Sequence, residues 1–239
     1  MAKKSELTEK PIVIVSGDKG GVGKSMIAIT LIEYLRNNGT PVAVVDTDMT
    51  NPDVHDIYAK FVKTAHVNLE AKDGGGWMQL VEFAESNQET IVVSMKAGSK
   101  TSTEENQKFI NDAFKMLKRP VVLFFVLGLQ KQCSILFYDS LGLFPALHAA
   151  IAVKNLKNGD IDEFFNWDEA KQDDAFKCVK EIIFPKVHAR ISLKITDDDM
   201  MISELLEGGG LRISERAALQ AWLDSVFAAY DGIKDSIGI

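Results

Sequence analysis

The sequence has few of the features that mark secreted, metal-binding or membrane proteins. Its 239 residues include two cysteines, Cys133 and Cys178, and no C-x-x-C pair, which disfavours zinc and iron–sulfur ligation. We expect both to be core thiols in a reducing, cytoplasmic compartment. No apolar run reaches the roughly 18 residues that a membrane-spanning helix needs. The polar N-terminus has no apolar signal region, so stable membrane insertion is not expected.

Positive charge is also scarce, because 27 basic residues face 34 acidic ones and the formal net charge is −7. This balance argues against a broad basic face for nucleic acid. Residues 177–194 reverse it locally, with several basic residues against the single acid Glu181. The basic residues of this segment are Lys177, Lys180, Lys186, Arg190 and Lys194. We interpret it either as a solvated helix–strand edge or as a site of nonspecific, salt-sensitive DNA contact.

What the chain does have is a regular alternation of strand and helix patterns. The strand patterns, rich in valine and isoleucine, lie near residues 12–16, 42–46, 66–70, 90–95, 120–127, 149–154 and 181–184. The helical patterns lie near residues 23–38, 52–62, 76–87, 102–118, 134–147 and 168–180. Nearly continuous apolar strands are typical of a parallel sheet covered on both faces. We therefore predict an α/β fold: a doubly wound, mostly parallel sheet with helices on both faces.

The order of these patterns predicts one domain. Residues 1–10 are polar and are expected to form a flexible tail, and residues 11–239 to form a single domain. The helices of residues 197–231 are expected to pack on it. The last of them carries apolar residues at helical spacing but has Asp224 and Asp231 on its polar face, which favours packing over membrane binding.

A glycine-rich turn follows the first strand pattern. Residues 17–25 read Gly-Asp-Lys-Gly-Gly-Val-Gly-Lys-Ser. Glycines at 20, 21 and 23 allow a positive φ and leave no Cβ near a ligand. Successive N–H groups can then form an anion-binding nest at a helix N-terminus. The turn therefore predicts a phosphate-binding loop.

Two side chains at the end of this loop complete the chemistry. Lys24 would reach the β- and γ-phosphates of a nucleotide, and the Ser25 hydroxyl would ligate Mg²⁺. Asp18 departs from the common G-x-x-x-x-G-K-[ST] pattern, because it stands at the first glycine position. A ligand-free glycine turn is the alternative interpretation.

A second motif follows the strand pattern at residues 42–46. It reads Asp46-Thr47-Asp48 and precedes Asn51 and Pro52. In doubly wound folds, ligands bind outside the carboxyl ends of the strands, so both carboxylates should face the nucleotide. The alternative is a turn in which Asp48 or Asn51 caps the helix that starts at Pro52.

Residues 19–25 resemble the deviant Walker A motif of the ParA/MinD family of ATPases, which has an additional early lysine. The resemblance implies that 11–239 is a P-loop ATPase domain that binds ATP and Mg²⁺ and dimerises on ATP binding. It implies that Lys19 reaches the partner subunit's phosphates. It assigns nucleotide contacts to Asp18, Gly20, Gly21, Val22, Gly23, Lys24, Ser25 and Met26.

The family also has an Asp-x-Asp pair at the position of the second motif. By that match, Asp46 would support the Mg²⁺ shell through water, and Asp48 would orient the attacking water. With Lys19 and Lys24, Asp48 would form the catalytic set. Asn155 and Pro185, each after a later strand pattern, would contact the adenine ring.

The sequence departs from the family at the next strand. The family has an aspartate where this chain has Ser94. Serine can hold a water near Mg²⁺ but brings no charge, so hydrolysis is expected to be slow. Asp139 offers an alternative register, although it lies within a helical pattern. Residues 157–173, which hold three aromatic residues among acids, also depart from a minimal family domain.

Three functions are compatible with these residues. The first is an ATP-driven dimer switch that acts on DNA or a protein partner, as in plasmid partitioning, conjugative transfer or positioning of a complex. Within the family, the chain resembles the TraL/StbB-like branch of plasmid transfer and stability proteins. The second is a nucleotide-dependent adaptor with little hydrolysis, and the third is a small-molecule kinase or ligase with a similar loop.

The loop assignment predicts that Lys24→Ala abolishes nucleotide binding, because the main cation for the β- and γ-phosphates is removed. Isothermal calorimetry with ATP and Mg²⁺ measures this, with Lys60→Ala as a control lysine outside the motif. Unchanged ATP affinity in Lys24→Ala would refute the assignment.

Overall fold

The computed structural model describes residues 9–17, 19–144, 147–208 and 210–238. Most of the expected tail at residues 1–10, and the expected site residue Asp18, lie outside these ranges. Within the described residues, no helix is both long enough and apolar enough to cross a membrane.

The described part of the chain contains seven strands: β1 (Ile12–Gly17), β2 (Val42–Asp46), β3 (Thr64–His66), β4 (Thr90–Ser94), β5 (Val121–Leu127), β6 (Leu147–Asn155) and β7 (Lys180–Phe184). Its helices in the first half are α1 (Lys24–Asn37), α2 (Asp53–Tyr58), α3 (Gly75–Ser86), α4 (Lys100–Glu105) and α5 (Gln107–Leu117). Those in the second half are α6 (Lys131–Leu143), α7 (Phe165–Ala170), α8 (Ala189–Asp197), α9 (Ile202–Glu207), α10 (Ile213–Asp231) and α11 (Lys234–Ile237). Short 3₁₀ helices cover Lys72–Gly74, Ile161–Phe164 and Asp174–Phe176.

The strands form one parallel sheet in the order β3-β2-β4-β1-β5-β6-β7. All of its strand pairs are parallel. A core of buried side chains lies on each face, which explains why β1, β2, β4 and β5 are apolar at nearly every position. The predicted α/β fold with a doubly wound parallel sheet is therefore confirmed.

Several predicted elements were wrong in their extent; the helices predicted over 52–62 and 134–147, for example, end at Tyr58 and Leu143. The third strand ends at His66 instead of continuing to residue 70, and the helix predicted over 102–118 is divided at Asn106 into α4 and α5. The helix predicted over 168–180 ends at Ala170. There the Asp173 carboxylate accepts the N–H of Ala175 at 2.9 Å and forms a turn. Lys180 is then extended because it begins the strand that pairs with β6.

The prediction that both cysteines are buried is wrong for one of them. Cys133 is buried, and its Sγ accepts the N–H of Gly128 at 3.0 Å. Cys178 is exposed and lies between a 3₁₀ helix and β7, so it is not the core thiol that we expected. The turn after Phe176 separates it from the helical pattern that suggested burial.

The long helix α10, near the end of the chain, packs on α1, the helix that follows the glycine-rich loop. The Tyr230 hydroxyl lies 2.9 Å from Thr30 Oγ1, and both side chains are fully buried. The Tyr34 hydroxyl donates to Asp231 Oδ1 at 2.7 Å. Burial, followed by the hydrogen bond to Asp231, raises the pKa of Tyr34 well above its usual value. The phenol is therefore a donor across the physiological pH range.

Residues 157–173 are anchored to the far edge of the sheet by a buried lysine. Lys154 is 3% exposed, and its Nζ lies 2.7 Å from Asp168 Oδ1 and 3.6 Å from Glu181 Oε1. Partial burial acts to raise the pKa of Asp168, but hydrogen bonds from Lys154 and Lys171 outweigh it and hold this pKa below its usual value. The segment therefore has a fixed place beside β6 and β7.

Arg119 forms hydrogen bonds to the segments that precede β1 and β4, at the amino-terminal ends of the strands. It is 5% exposed, and its guanidinium donates to backbone carbonyls of five residues: Lys10, Pro11, Ala84, Asn87 and Glu89. Burial lowers the pKa of Arg119 from its usual value. The group nevertheless stays charged because that usual value is so high.

We predict that Arg119→Lys lowers the free energy of unfolding by about 2 kcal/mol, because an ammonium has fewer donors and leaves buried carbonyls unpaired. Urea unfolding at pH 7 measures the change. Lys115→Ala, one helix turn earlier and exposed, is the control and should change little. A wild-type midpoint for Arg119→Lys would contradict this account.

Candidate nucleotide site

The glycine-rich loop joins the carboxyl end of β1 to the first turn of α1. Gly23 stands at the helix N-cap with φ 101°, and Gly21 has φ 80°. Gly20 does not adopt a positive φ, so our expectation for that glycine was wrong. A Cβ on Gly23 would overlap the side-chain amide of Asn155. The loop therefore needs glycine at 21 and 23 to leave an open cradle of backbone N–H groups.

The two lysines of the loop lie in different environments. Lys24 is 8% exposed, and its Nζ donates to the carbonyl of Lys19 at 2.9 Å. Lys19 itself is exposed, as are Gly20 and Gly21. Ser25 lies half-buried in the first turn of α1. The loop thus holds one ammonium against its own backbone and presents the other to solvent.

Two asparagines form hydrogen bonds to the backbone of the glycine-rich loop. The Nδ2 of Asn155 and the Nδ2 of Asn158 both donate to the carbonyl of Val22, at 2.9 and 3.2 Å. Asn158 also donates to the carbonyl of Leu127 at 3.0 Å. Asn155 is buried, and its Oδ1 accepts the N–H of Lys157. Asn155 therefore supports the loop in this structure, and its contact with adenine stays a prediction.

A cavity of about 290 Å³ opens beside the start of α1. Its lining includes Gly23, Met26, Asn155, Phe184 and Pro185. Four of these were expected to contact the nucleotide, although they come from three separate parts of the chain. The cavity is of the size and apolar character that suit a planar base.

Asp46 ends β2 with its carboxylate buried. Its Oδ1 accepts the N–H of Asp48 at 3.0 Å, and its Oδ2 accepts those of Val54 and His55 at 3.0 and 3.2 Å. Burial raises the pKa of Asp46, and the three N–H donors oppose that rise. The acid that binds the first turn of α2 is therefore Asp46, and not Asp48 or Asn51 as the turn interpretation predicted.

Asp48 is more accessible than Asp46. Its Oδ1 accepts the N–H groups of Thr50 and Asn51, at 3.0 and 3.2 Å. His66 Nε2 lies 3.1 Å from its carbonyl oxygen. Asp48 is thus fixed by a short turn at the carboxyl end of β2, on the same edge of the sheet as the glycine-rich loop.

Thr47 connects this turn to the loop after β4. It is 1% exposed, its N–H donates to the carbonyl of Ser94 at 3.0 Å, and its Oγ1 accepts the N–H of Lys96 at 2.8 Å. Ser94 is paired in register with Asp46 on one side and with Val15 on the other. Ser94 therefore lies at the centre of the sheet's carboxyl edge.

The alternative acid, Asp139, does not follow the end of a strand. It is in α6, where its Oδ2 forms a 2.7 Å ion pair with Lys100. The arrangement around Thr47 favours the register in which Ser94 replaces the family's aspartate. The role of Ser94 toward a metal stays a prediction.

The basic segment at 177–194 is partly neutralised. Lys177 pairs with Asp174 at 2.7 Å, Lys194 with Asp198 at 2.6 Å, and Arg190 with Glu215 at 3.6 Å. Lys180 and Lys186, the other two members, are exposed. The acids Asp174, Asp198 and Glu215 flank the segment in space, so its charge is weaker than the sequence suggested.

Comparison with known proteins identifies relatives of this chain. The family model described as ParA, the NUBPL iron-transfer P-loop NTPase, matches residues 8–110. Protein MobD of Acidithiobacillus ferrooxidans is 28% identical over 94% of this chain and 98% of its own length. A cytosolic Fe-S cluster assembly factor NUBP2 homolog of Trichoplax adhaerens is 29% identical over 39% of this chain. This chain spans 33% of that relative's length.

Solved structures share the fold at low sequence identity. A nucleotide-binding protein of Archaeoglobus fulgidus, in complex with ADP, superposes with a TM-score of 0.52 at 13% identity, over 80% of this chain and 87% of its own. Chloroplast FtsY of Physcomitrella patens superposes with a TM-score of 0.53 at 14% identity, over 95% and 68%. At these identities the similarity concerns the fold.

The parallel sheet and the glycine-rich loop at the start of α1 give this chain the fold of the P-loop NTPases. Residues 8–110 are similar to the ParA family model, and almost the whole chain is similar to MobD.

Sequence reasoning missed Thr47 and Asn158 as supporting residues. Thr47 stands between the two aspartates of the second motif, but its partner Lys96 is 49 residues away. Asn158 lies 136 residues from Val22. Each follows a strand end, which is the one signal that could have drawn attention to them.

We predict that Thr47→Val increases hydrogen exchange at the Lys96 amide, because valine keeps the shape but removes the acceptor. Exchange measured by mass spectrometry on peptides covering residues 94–98 tests this. Thr47→Ser, which retains the hydroxyl, should keep wild-type protection. Equal exchange in the valine and serine variants would show that the hydrogen bond does not hold this loop.

Proposed function

We propose that the chain is an ATP-dependent dimer switch, in which residues 11–239 act as one ATPase domain. The observation that carries this proposal is the open loop of residues 19–25, with its exposed Lys19 and buried Lys24, beside the cavity of about 290 Å³. A triphosphate bound to the loop's N–H groups would place its base in that cavity. Met26, Asn155 and Pro185 would then contact the adenine ring.

Mg²⁺ would be held by the Ser25 hydroxyl, with Asp46 and Ser94 acting through water. Asp46 Oδ2 already accepts two backbone N–H groups, whereas Oδ1 accepts one and keeps a second lone pair for a metal-bound water. The metal supplies charge neutralisation between the phosphates. Lys24 and the N–H groups of Gly21, Val22 and Gly23 would stabilise the charge that develops on the transferred phosphoryl group.

Lys19 is proposed to act in the partner subunit. It is exposed at the entrance of the loop, so its ammonium can reach a phosphate bound by a second copy. A homodimer formed in this way is stabilised by the nucleotide, because each triphosphate then attracts cations from two subunits. ParA-type proteins often dimerise, which supports this arrangement.

Hydrolysis is proposed to be slow. Asp48 would orient the attacking water, whereas Ser94 offers no charge at the position of the family's aspartate. The same substitution favours a second candidate, an adaptor that binds ATP and hydrolyses little of it. Phosphate release without a phosphorylated acceptor supports the switch, and ATP retention without turnover supports the adaptor.

The cellular role is proposed from the relatives and from the surface. MobD matches almost the whole chain, which supports a role in DNA mobilisation or in the related TraL/StbB-like processes of plasmid transfer and partitioning. We propose a cytoplasmic protein that acts with a protein partner. Nonspecific DNA contact would use Lys180 and Lys186, joined by Lys177, Arg190 and Lys194 if their ion pairs open.

We predict that Lys19→Ala keeps most of the affinity for ATP but loses ATP-dependent dimerisation, because its cation acts between subunits. Sedimentation velocity with ATP and Mg²⁺ measures the dimer, and calorimetry measures binding. Lys60→Ala, another exposed lysine, is the matched control and should dimerise as wild type does. Normal dimerisation of Lys19→Ala would exclude the role between subunits, and a monomeric wild-type protein at saturating ATP would exclude the switch.

A further inference from the structure

Helices α6 and α7 enclose an apolar groove on the segment that departs from a minimal family domain. The α6–α7 groove has a volume of about 290 Å³. Its floor and one side are formed by Ile135, Tyr138 and Phe176. Ile135 is 45% exposed and Tyr138 is 55% exposed, although both are large apolar side chains. Exposed apolar residues that line a concave surface are typical of an interaction site.

The floor of the groove is rigid. The Phe176 ring packs edge-on against Trp167 at 5.1 Å between centroids and against Tyr138 at 6.2 Å. It also lies 5.6 Å from Phe137, which stacks on Phe125 of β5. Because Phe137, Trp167 and Phe176 are buried in the core, the base of the groove is formed before any ligand arrives, and a ligand would not have to order it.

The charges on the wall of the groove indicate what fits it. Glu169 and Asp173 line the wall contributed by the 157–173 segment, and both are exposed. Within the described residues, neither takes part in an ion pair. Neighbouring acids outside the groove are paired with lysines: Asp139 with Lys100, Asp168 with Lys154 and Lys171, and Asp174 with Lys177.

Glu169 and Asp173 thus line the groove without an ion-pair partner among the described residues, although Asp173 Oδ1 also accepts the N–H of Ala175. One basic residue, Lys131, stands on the opposite wall. A ligand that presented apolar side chains to the floor and a lysine or arginine to Glu169 and Asp173 would complement both features. An amphipathic helix with basic residues on its flank has this pattern.

The groove is also joined to the phosphate-binding loop. Asn166, in its lining, donates to the carbonyl of Leu129 at 2.8 Å. Earlier in the same segment, Asn158 donates to the carbonyls of Leu127 and Val22. One short segment therefore supports the loop at one end and forms the groove wall at the other.

We propose that the α6–α7 groove is the docking site for a basic amphipathic helical segment of a protein partner. This inference rests on the proposed function only in that it names the kind of partner on which the switch acts. An apolar side chain of the partner packs on the surface formed by Ile135, Tyr138 and Phe176, and a neighbouring lysine or arginine pairs with Glu169 and Asp173.

The test uses a fluorescein-labelled peptide of about 15 residues, which is long enough for a marginal helix. It has leucine at i, i+3, i+4 and i+7 and lysine at the flanking positions, and a second peptide replaces each lysine with glutamate. Fluorescence anisotropy with the full chain should show micromolar binding of the lysine peptide. Tyr138→Ser should weaken this binding about tenfold, whereas Met116→Ser, at an apolar residue of α5 that is 81% exposed, should not.

A charge reversal gives the second part of the test. Glu169→Lys with Asp173→Lys should transfer binding from the lysine peptide to the glutamate peptide. Glu82→Lys with Glu85→Lys changes the net charge equally on α3 and should leave the preference unchanged. No binding of the lysine peptide by the wild type, equal binding by Tyr138→Ser and Met116→Ser, or an unchanged preference after reversal at 169 and 173 would each overturn the proposal.

The docking site and the proposed nucleotide function can be tested separately. Lys24→Ala, which should lose ATP, is expected to bind the lysine peptide as the wild type does, because the groove contains no residue of the phosphate-binding loop. Loss of peptide binding in this variant would contradict a preformed groove. If Lys24→Ala still binds the lysine peptide, the docking site is supported independently of the nucleotide function, whether or not the variant binds ATP.

Discussion

The parallel pairing of β1 with both β4 and β5 is the constraint on which the site depends. It brings the carboxyl ends of these central strands to one edge, where the glycine-rich loop, Ser94 and the Asp46–Asp48 turn meet. Backbone pairing sets the register of the strands, apolar cores cover both faces of the sheet, and polar side chains fix the loops at its edge. Thr47 fixes the distance between two loops, while Asp46 uses its carboxylate to start α2. Chemical groups from distant parts of the sequence are therefore held by a few buried contacts.

The helix after the phosphate-binding loop has a second structural role. It packs against α10 through Thr30 and Tyr34, which bond to Tyr230 and Asp231. Helix α10 is thus attached to the helix whose first turn follows the glycine-rich loop. On the other side of the sheet, the 157–173 segment reaches the same loop through Asn158. Two regions outside the minimal site are consequently in direct contact with it.

The sequence was sufficient for the fold class and for the position of the phosphate-binding loop, because both depend on local patterns. Apolar strands of valine and isoleucine specify a buried parallel sheet, and Gly21 and Gly23 specify positive φ. The prediction of a helix over 168–180 was wrong for two reasons. Phe176 is apolar because it packs against Trp167, not because it belongs to a helix, and the chain from Lys180 is extended because it pairs with β6. The roles of Thr47 and Asn158 depend on contacts across the sheet, which no local pattern encodes.

The position of Asn155 has a thermodynamic consequence for ligand recognition. Its amide touches the carbonyl of Val22 in the phosphate-binding loop, and the same residue lines the cavity proposed for the base. A displacement of this side chain by a ring would therefore be transmitted directly to the loop that wraps the anionic tail. Binding of the base and binding of the phosphates would then be thermodynamically coupled. A phosphate chain without a base would bind without that coupling.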